Sequence, residues 1–170
     1  MSAQTYARFS AALLAAGLLA SACVQPPEYP IEPVLTFEGL SRDTMIQGSG
    51  LEDSLSLFLS FTDGDGDIAA ADGDSNVFIR NVDSDQLVDF YSIDPIPTEG
   101  AENGISGDLR LRVFTTCCEY PEEIQAFPCD LAPDYPVDTL RLEAYIVDAA
   151  GNESNRVDVA PIILRCDRLP

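Results

Sequence analysis

The stretch Ser54-Leu55-Ser56-Leu57-Phe58-Leu59-Ser60-Phe61 decides the fold. Leu55, Leu57, Leu59 and Phe61 project to one side of an extended chain, and Ser54, Ser56, Phe58 and Ser60 to the other. A period of two with one apolar face marks a half-buried strand, whereas a helix would space its apolar residues three and four apart. Working outward, Leu109, Leu111 and Val113 alternate with Arg110, Arg112 and Phe114. Leu140, Leu142, Ala144 and Ile146 alternate with Thr139, Arg141, Glu143 and Tyr145. Fainter strand signals cover 34–37, 77–80, 86–92 and 155–164, the last weakened by Pro161, which has no N–H for a ladder.

About seven strands, turn signals between them and no amphipathic helix predict an all-β fold: a single antiparallel, immunoglobulin-like β-sandwich over residues 34–170. The segment Tyr145-Ile146-Val147-Asp148-Ala149-Ala150-Gly151-Asn152-Glu153-Ser154-Asn155 resembles the last hairpin of bacterial Ig-like domains. In that hairpin a strand ends in Asp, turns through a small-residue-Gly-Asn loop and returns as the final strand.

Composition removes whole classes of chemistry. The 170 residues hold 29 acidic and nine basic side chains, for a formal charge of −20. Every basic residue is Arg, and the chain has no Lys, His or Trp. Without His there is no Ser-His-Asp or Cys-His catalysis and no imidazole ligand. Without Lys there is no Schiff base and no P-loop lysine. The net charge opposes binding to nucleic acid through a basic patch.

Residues 1–22 read as an address. Arg8 precedes an uncharged stretch rich in Ala and Leu that ends Ala20-Ser21-Ala22-Cys23. Its fourteen residues, 9–22, are too few to cross a bilayer core of about 30 Å as a helix. Small residues directly before a Cys resemble the lipobox of bacterial lipoprotein signal peptides, although Ala20 stands where Leu is usual. The resemblance implies cleavage after Ala22, lipid on the Cys23 sulfur and an acylated amine, and two or more chains anchor stably where one does not; the alternative is ordinary secretion with cleavage nearby. Removing 22 of 170 residues leaves 148, and losing Arg8 moves the charge from −20 to −21. Pro26, Pro27, Pro30 and Pro33 then make residues 23–33 a proline-rich tether, read as extended polyproline II.

The chemistry is concentrated after the deciding strand, in Phe61-Thr62-Asp63-Gly64-Asp65-Gly66-Asp67-Ile68, with Asp72 and Asp74 following. Five carboxylates this close repel one another unless water or a cation screens them. Calcium seeks six to eight oxygens, and alternating Asp on a Gly-flexible loop supplies them. Asp63, Asp65, Asp67 and Asp74 match positions 1, 3, 5 and 12 of an EF-hand loop. Ile68 replaces the Gly of position 6, and Asp74 the longer Glu of position 12. A strand also leads in, so the expectation is a calcium loop on a sandwich, weighed against a merely solvated acidic loop. With 54–61 as strand B and 140–147 as strand F, the loops after them share one end of a sandwich. Asp148 and Asn152 would then complete the coordination.

Cys117, Cys118, Cys129 and Cys166 remain beside Cys23. An even number in an exported chain predicts two disulfides. Neighbours in a strand face opposite ways, so Cys117 and Cys118 take separate partners, one Cys129 and the other Cys166, in an order the sequence leaves open. A four-thiolate zinc site and a bridge between the two neighbours are the alternatives, and the spacing does not suit zinc.

Taken in order, the lipobox, the prolines, 61–68 and 148–155 resemble a Bacteroidetes-type group of uncharacterised surface lipoproteins, which carries no assigned activity. Asp43-Thr44-Met45, Asp53-Ser54-Leu55 and Asp138-Thr139-Leu140 resemble the O-glycosylation signal of that phylum. The expectation is a non-enzymatic, calcium- and disulfide-stabilised binding or structural domain. It would sit in the outer membrane, periplasmic or surface-exposed, anchored through Cys23 and contacting an envelope or surface protein. The alternatives are a carbohydrate-binding module, which lacks Trp for a sugar platform, and a carboxylate-dependent hydrolase, for which no signature is present.

Overall fold

The computed structural model describes residues 28–70, 74–95 and 104–167. Its organising element is β3, Ser54–Asp63, in which every second residue is buried over all ten positions. The apolar face runs Leu55, Leu57, Leu59 and Phe61, and the next inward position is Asp63. β3 lies between β1 (Val34–Leu40) and β6 (Ile105–Phe114), antiparallel to both. Ser54 faces Phe114 at one end of the β3–β6 ladder and Asp63 faces Ile105 at the other.

The second sheet has the order β5-β4-β8-β9: Leu87–Tyr91, Val77–Asn81, Leu142–Ile146 and Val157–Asp158. Its inward residues Val77, Ile79, Leu142, Ala144 and Ile146 join the β3 leucines in one buried cluster. Each fully buried Leu or Ile contributes about 1.5–3 kcal/mol. A third, three-stranded ladder closes the side of the sandwich. There β10 (Ile162–Arg165) pairs antiparallel with β7 (Val137–Leu140) and parallel with β2 (Thr44–Ile46).

The fold is therefore an all-β, largely antiparallel sandwich, and no helix occurs among the described residues. The described residues form ten strands where periodicity counts about seven, for physical reasons. The 139–146 alternation stays intact, with Leu140, Leu142, Ala144 and Ile146 all buried, but the chain changes partners at Arg141. Around Pro161, which cannot donate to a ladder, the last run divides into β9 and β10. β2 has three residues, too few to display a period.

The sandwich has two poles. Ten residues of β3 span about 30 Å at the rise of an extended strand. At the Ser54 pole lie the cysteines that follow β6, and at the Asp63 pole lie the loops after β3 and β8.

Candidate metal centre

Asp63 is where the β3 alternation places a carboxylate inside. Its relative exposure is 0%, and neither carboxylate oxygen has a hydrogen-bond partner of normal geometry. A buried, unpartnered charge is costly, so something must compensate it. The chain beyond turns at Gly66, with φ +76°, and returns inward at Ile68, which is fully buried. Ile68 thus takes the place of the EF-hand glycine as an apolar plug that pins the loop to the core. The Ile68 carbonyl accepts the Asn76 side-chain amide at 2.7 Å. Asn76 Oδ1 in turn accepts the Ile93 amide at 2.9 Å, so the loop is fastened on both sides.

The hairpin after β8 arrives from the opposite sheet. Asp148 is buried and accepts two hydrogen bonds from Asn152: the backbone amide to Oδ1 at 2.7 Å and the side-chain amide to Oδ2 at 2.8 Å. Gly151, at φ +91°, supplies the left-handed turn this needs. Asp63, Asp65, Asp67 and Asp148 consequently converge, each offering one carboxylate oxygen within 4.8 Å of the others. Asp67 Oδ1 is likewise buried without a partner.

The electrostatics follow from this crowding. Burial, and then the charges of Asp65, Asp67 and Asp148, push the Asp63 carboxyl up to about 6, against a smaller opposing pull from the Asp67 backbone. Asp67 is raised as well, by burial first and then by Asp148 and Asp65. Four carboxylates, two of them with buried bare oxygens, can hold a metal ion, and an all-oxygen donor set suits a hard cation.

No family model matches this chain, and no curated protein matches it.

Of the metal-ligating residues expected from sequence, four are brought together. Asn152 lies beside them, holding both oxygens of Asp148. Asp74 is exposed and stands outside the cluster; its carbonyl accepts the Ser92 hydroxyl at 2.5 Å. Asp72 and Cys23 lie outside the described residues.

At the opposite pole the two disulfides are Cys117–Cys129 and Cys118–Cys166. This resolves the order left open by the sequence, and the first bridge closes the loop carrying Glu119, Glu122 and Glu123. Gln47 organises that pole, and no sequence pattern marked it. It is 1% exposed; its amide nitrogen donates to the Asp130 and Cys166 carbonyls at 2.8 and 2.9 Å. Its oxygen accepts from the Cys118 N–H and the Tyr120 hydroxyl, each at 3.2 Å.

The Asp-Ser/Thr tripeptides also have a structural account. Asp53 accepts the Ile46 and Ser54 amides at 2.8 Å, and Asp138 accepts the Thr139 and Glu119 amides at 2.7 and 2.8 Å. Asp53 thus caps the start of β3, and Asp138, the second residue of β7, ties that strand to the segment after β6. Two disulfides indicate an oxidising compartment, periplasmic or extracellular. No helix of the described residues is long and apolar enough to cross a membrane.

Proposed function

We propose that this chain is a calcium-stabilised, non-enzymatic binding or structural domain, tethered to the outer membrane by lipid on Cys23 and working against an envelope or surface protein. The observation that carries the calcium reading is Asp63: a fully buried carboxylate with two bare oxygens, aimed at three further carboxylates. Calcium fits better than magnesium. It accepts six to eight oxygens in irregular geometry, whereas magnesium demands a near-ideal octahedron and keeps much of its water. Four Asp from two loops form an irregular set, and water completes the coordination. The role is structural, because the ion would join the two sheets at one pole.

What supports the anchor is Ala20-Ser21-Ala22-Cys23 after an apolar stretch of signal-peptide length. Disulfides fit export. Calorimetric titration of the EDTA-stripped full chain tests the metal. Calcium is expected to bind and to raise Tm well beyond any effect of magnesium, and no calcium-dependent rise would sink the reading. The anchor is tested by metabolic labelling with a radioactive fatty acid, which Cys23→Ala should abolish.

A further inference from the structure

The N-terminal segment rests on the metal loop. A Cβ added to Gly64 would stand 2.5 Å from the carbonyl oxygens of both Tyr29 and Pro30, closer than real Cβ atoms come. Only hydrogen fits between loop and segment there. On the adjoining side, a Cβ on Gly104 would fall 2.9 Å from Tyr29 Cδ2 and 2.9 Å from the Asp63 carbonyl oxygen. Gly104 has φ +76°, so both its conformation and its bare face are used to seat the half-buried Tyr29 ring.

Gly64 lies between Asp63 and Asp65, two members of the carboxylate cluster. The segment therefore presses two carbonyl oxygens, the negative ends of peptide dipoles, onto the most acidic loop of the sandwich. Without a cation that approach is electrostatically unfavourable, and the mutual repulsion of four carboxylates also works to spread the loop on which the segment sits. A divalent ion reverses both effects, holding Asp63 and Asp65 in place and offsetting the negative potential under the carbonyls.

We propose that calcium at this cluster clamps residues 28–33 onto the loop at Gly64. The segment is then held against the sandwich when calcium is bound and lifts from the loop when calcium is removed. This rests on the calcium reading of the cluster. The occupant of the glycine-floored surface is the chain's own N-terminal segment, and Tyr29 is its positioning residue.

The test uses the full chain in detergent, with calcium uptake followed by calorimetry and the backbone mobility of Tyr29, Ile31 and Glu32 followed by nitrogen-15 relaxation. Calcium is expected to raise the order parameters of these three amides from about 0.6 or below to about 0.85, the level of a rigid backbone. Gly64→Ala is expected to take up calcium still but to show the same mobility with and without it. Tyr29→Ala, which leaves the loop backbone untouched, is expected to weaken calcium binding about 3- to 10-fold, since coupling is reciprocal. Calcium uptake by the unaltered chain with unchanged mobility would overturn the clamp and leave the metal reading standing. Retained calcium-dependent ordering in Gly64→Ala, or unchanged affinity in Tyr29→Ala, would also overturn the clamp. Absence of calcium uptake would remove both proposals.

Discussion

Ala149 donates its backbone N–H to the Asp67 carbonyl at 3.0 Å. This hydrogen bond joins the loop that follows β3 in one sheet to the hairpin that follows β8 in the other. The four carboxylates are thus supplied by two loops already tied through their backbones, so a cation meets a nearly assembled site. Such preorganisation reduces the ordering cost of binding.

Asp63→Asn should separate metal binding from apo stability. In EDTA the variant should be more stable than the parent, by on the order of 2 kcal/mol, because a buried unpaired charge becomes a neutral amide with acceptors nearby. With calcium the order should reverse, since the variant loses a central ligand. Scanning calorimetry with and without calcium checks both signs, and an apo variant less stable than its parent would contradict this account.

The pH dependence of the calcium-free protein has a definite sign. The Asp63 carboxyl stands at about 6 in the fold against 3.8 as the ordinary value, so the folded state holds the proton more tightly. Its contribution to apo stability should therefore grow as pH falls from 7 through 6 towards 4. Below that window the sign changes. At Asp53, burial raises the carboxyl, but the Ile46 amide, Arg42 and the Ser54 amide outweigh it, and protonation there loses stability. Thermal melts in EDTA should show a rise in Tm as pH drops to about 4 and then a fall, while the increment due to calcium shrinks through pH 6.

Removing the bridges should cost unequal amounts. Cys118–Cys166 spans 48 residues of sequence and both its cysteines are buried, whereas Cys117–Cys129 spans 12. Loop entropy gives about 4 kcal/mol for the longer ring and about 3 for the shorter. Cavity formation at Cys118 and Cys166 widens the gap. Urea unfolding of the two paired Cys→Ala variants should rank them in that order.

Gln47→Leu keeps approximate size but removes four hydrogen bonds. The Cys118 N–H and the Asp130 and Cys166 carbonyls lose this partner near the disulfides. A loss of about 2–4 kcal/mol is expected, read as a lower urea midpoint with an unchanged slope.

How far the sequence carried the reading depended on what each feature needs in order to be visible. β3 was legible because eight alternating residues repeat one physical fact. Asp63, Asp65 and Asp67 were legible as a repeat of charge, and Asp148 followed once its strand was placed beside the same pole. Asp63 had a further signal, since it is the next odd position after Phe61 and inward by register alone. Gln47 and Tyr29 were invisible because single contacts between distant segments leave no period. β2 was hidden for a related reason: its parallel ladder with β10 depends on a partner more than a hundred residues away. Asp74 fitted an EF-hand count that presumes the turn of that motif, and Ile68, anchored in the core, takes the chain elsewhere.

The Cys118–Cys166 bridge has a mechanical consequence. A pull applied between the N-terminus and the C-terminal end passes from residue 118 directly to residue 166, bypassing the chain between them. The β1–β3 and β3–β6 ladders lie upstream of the bridge and can be drawn out, whereas β7, β8, β9 and β10 lie inside the covalent ring. At about 3.5 Å per residue, the ring withholds roughly 160 Å of extension from a fully stretched chain. Reduction would release that length as an added step in a force–extension trace.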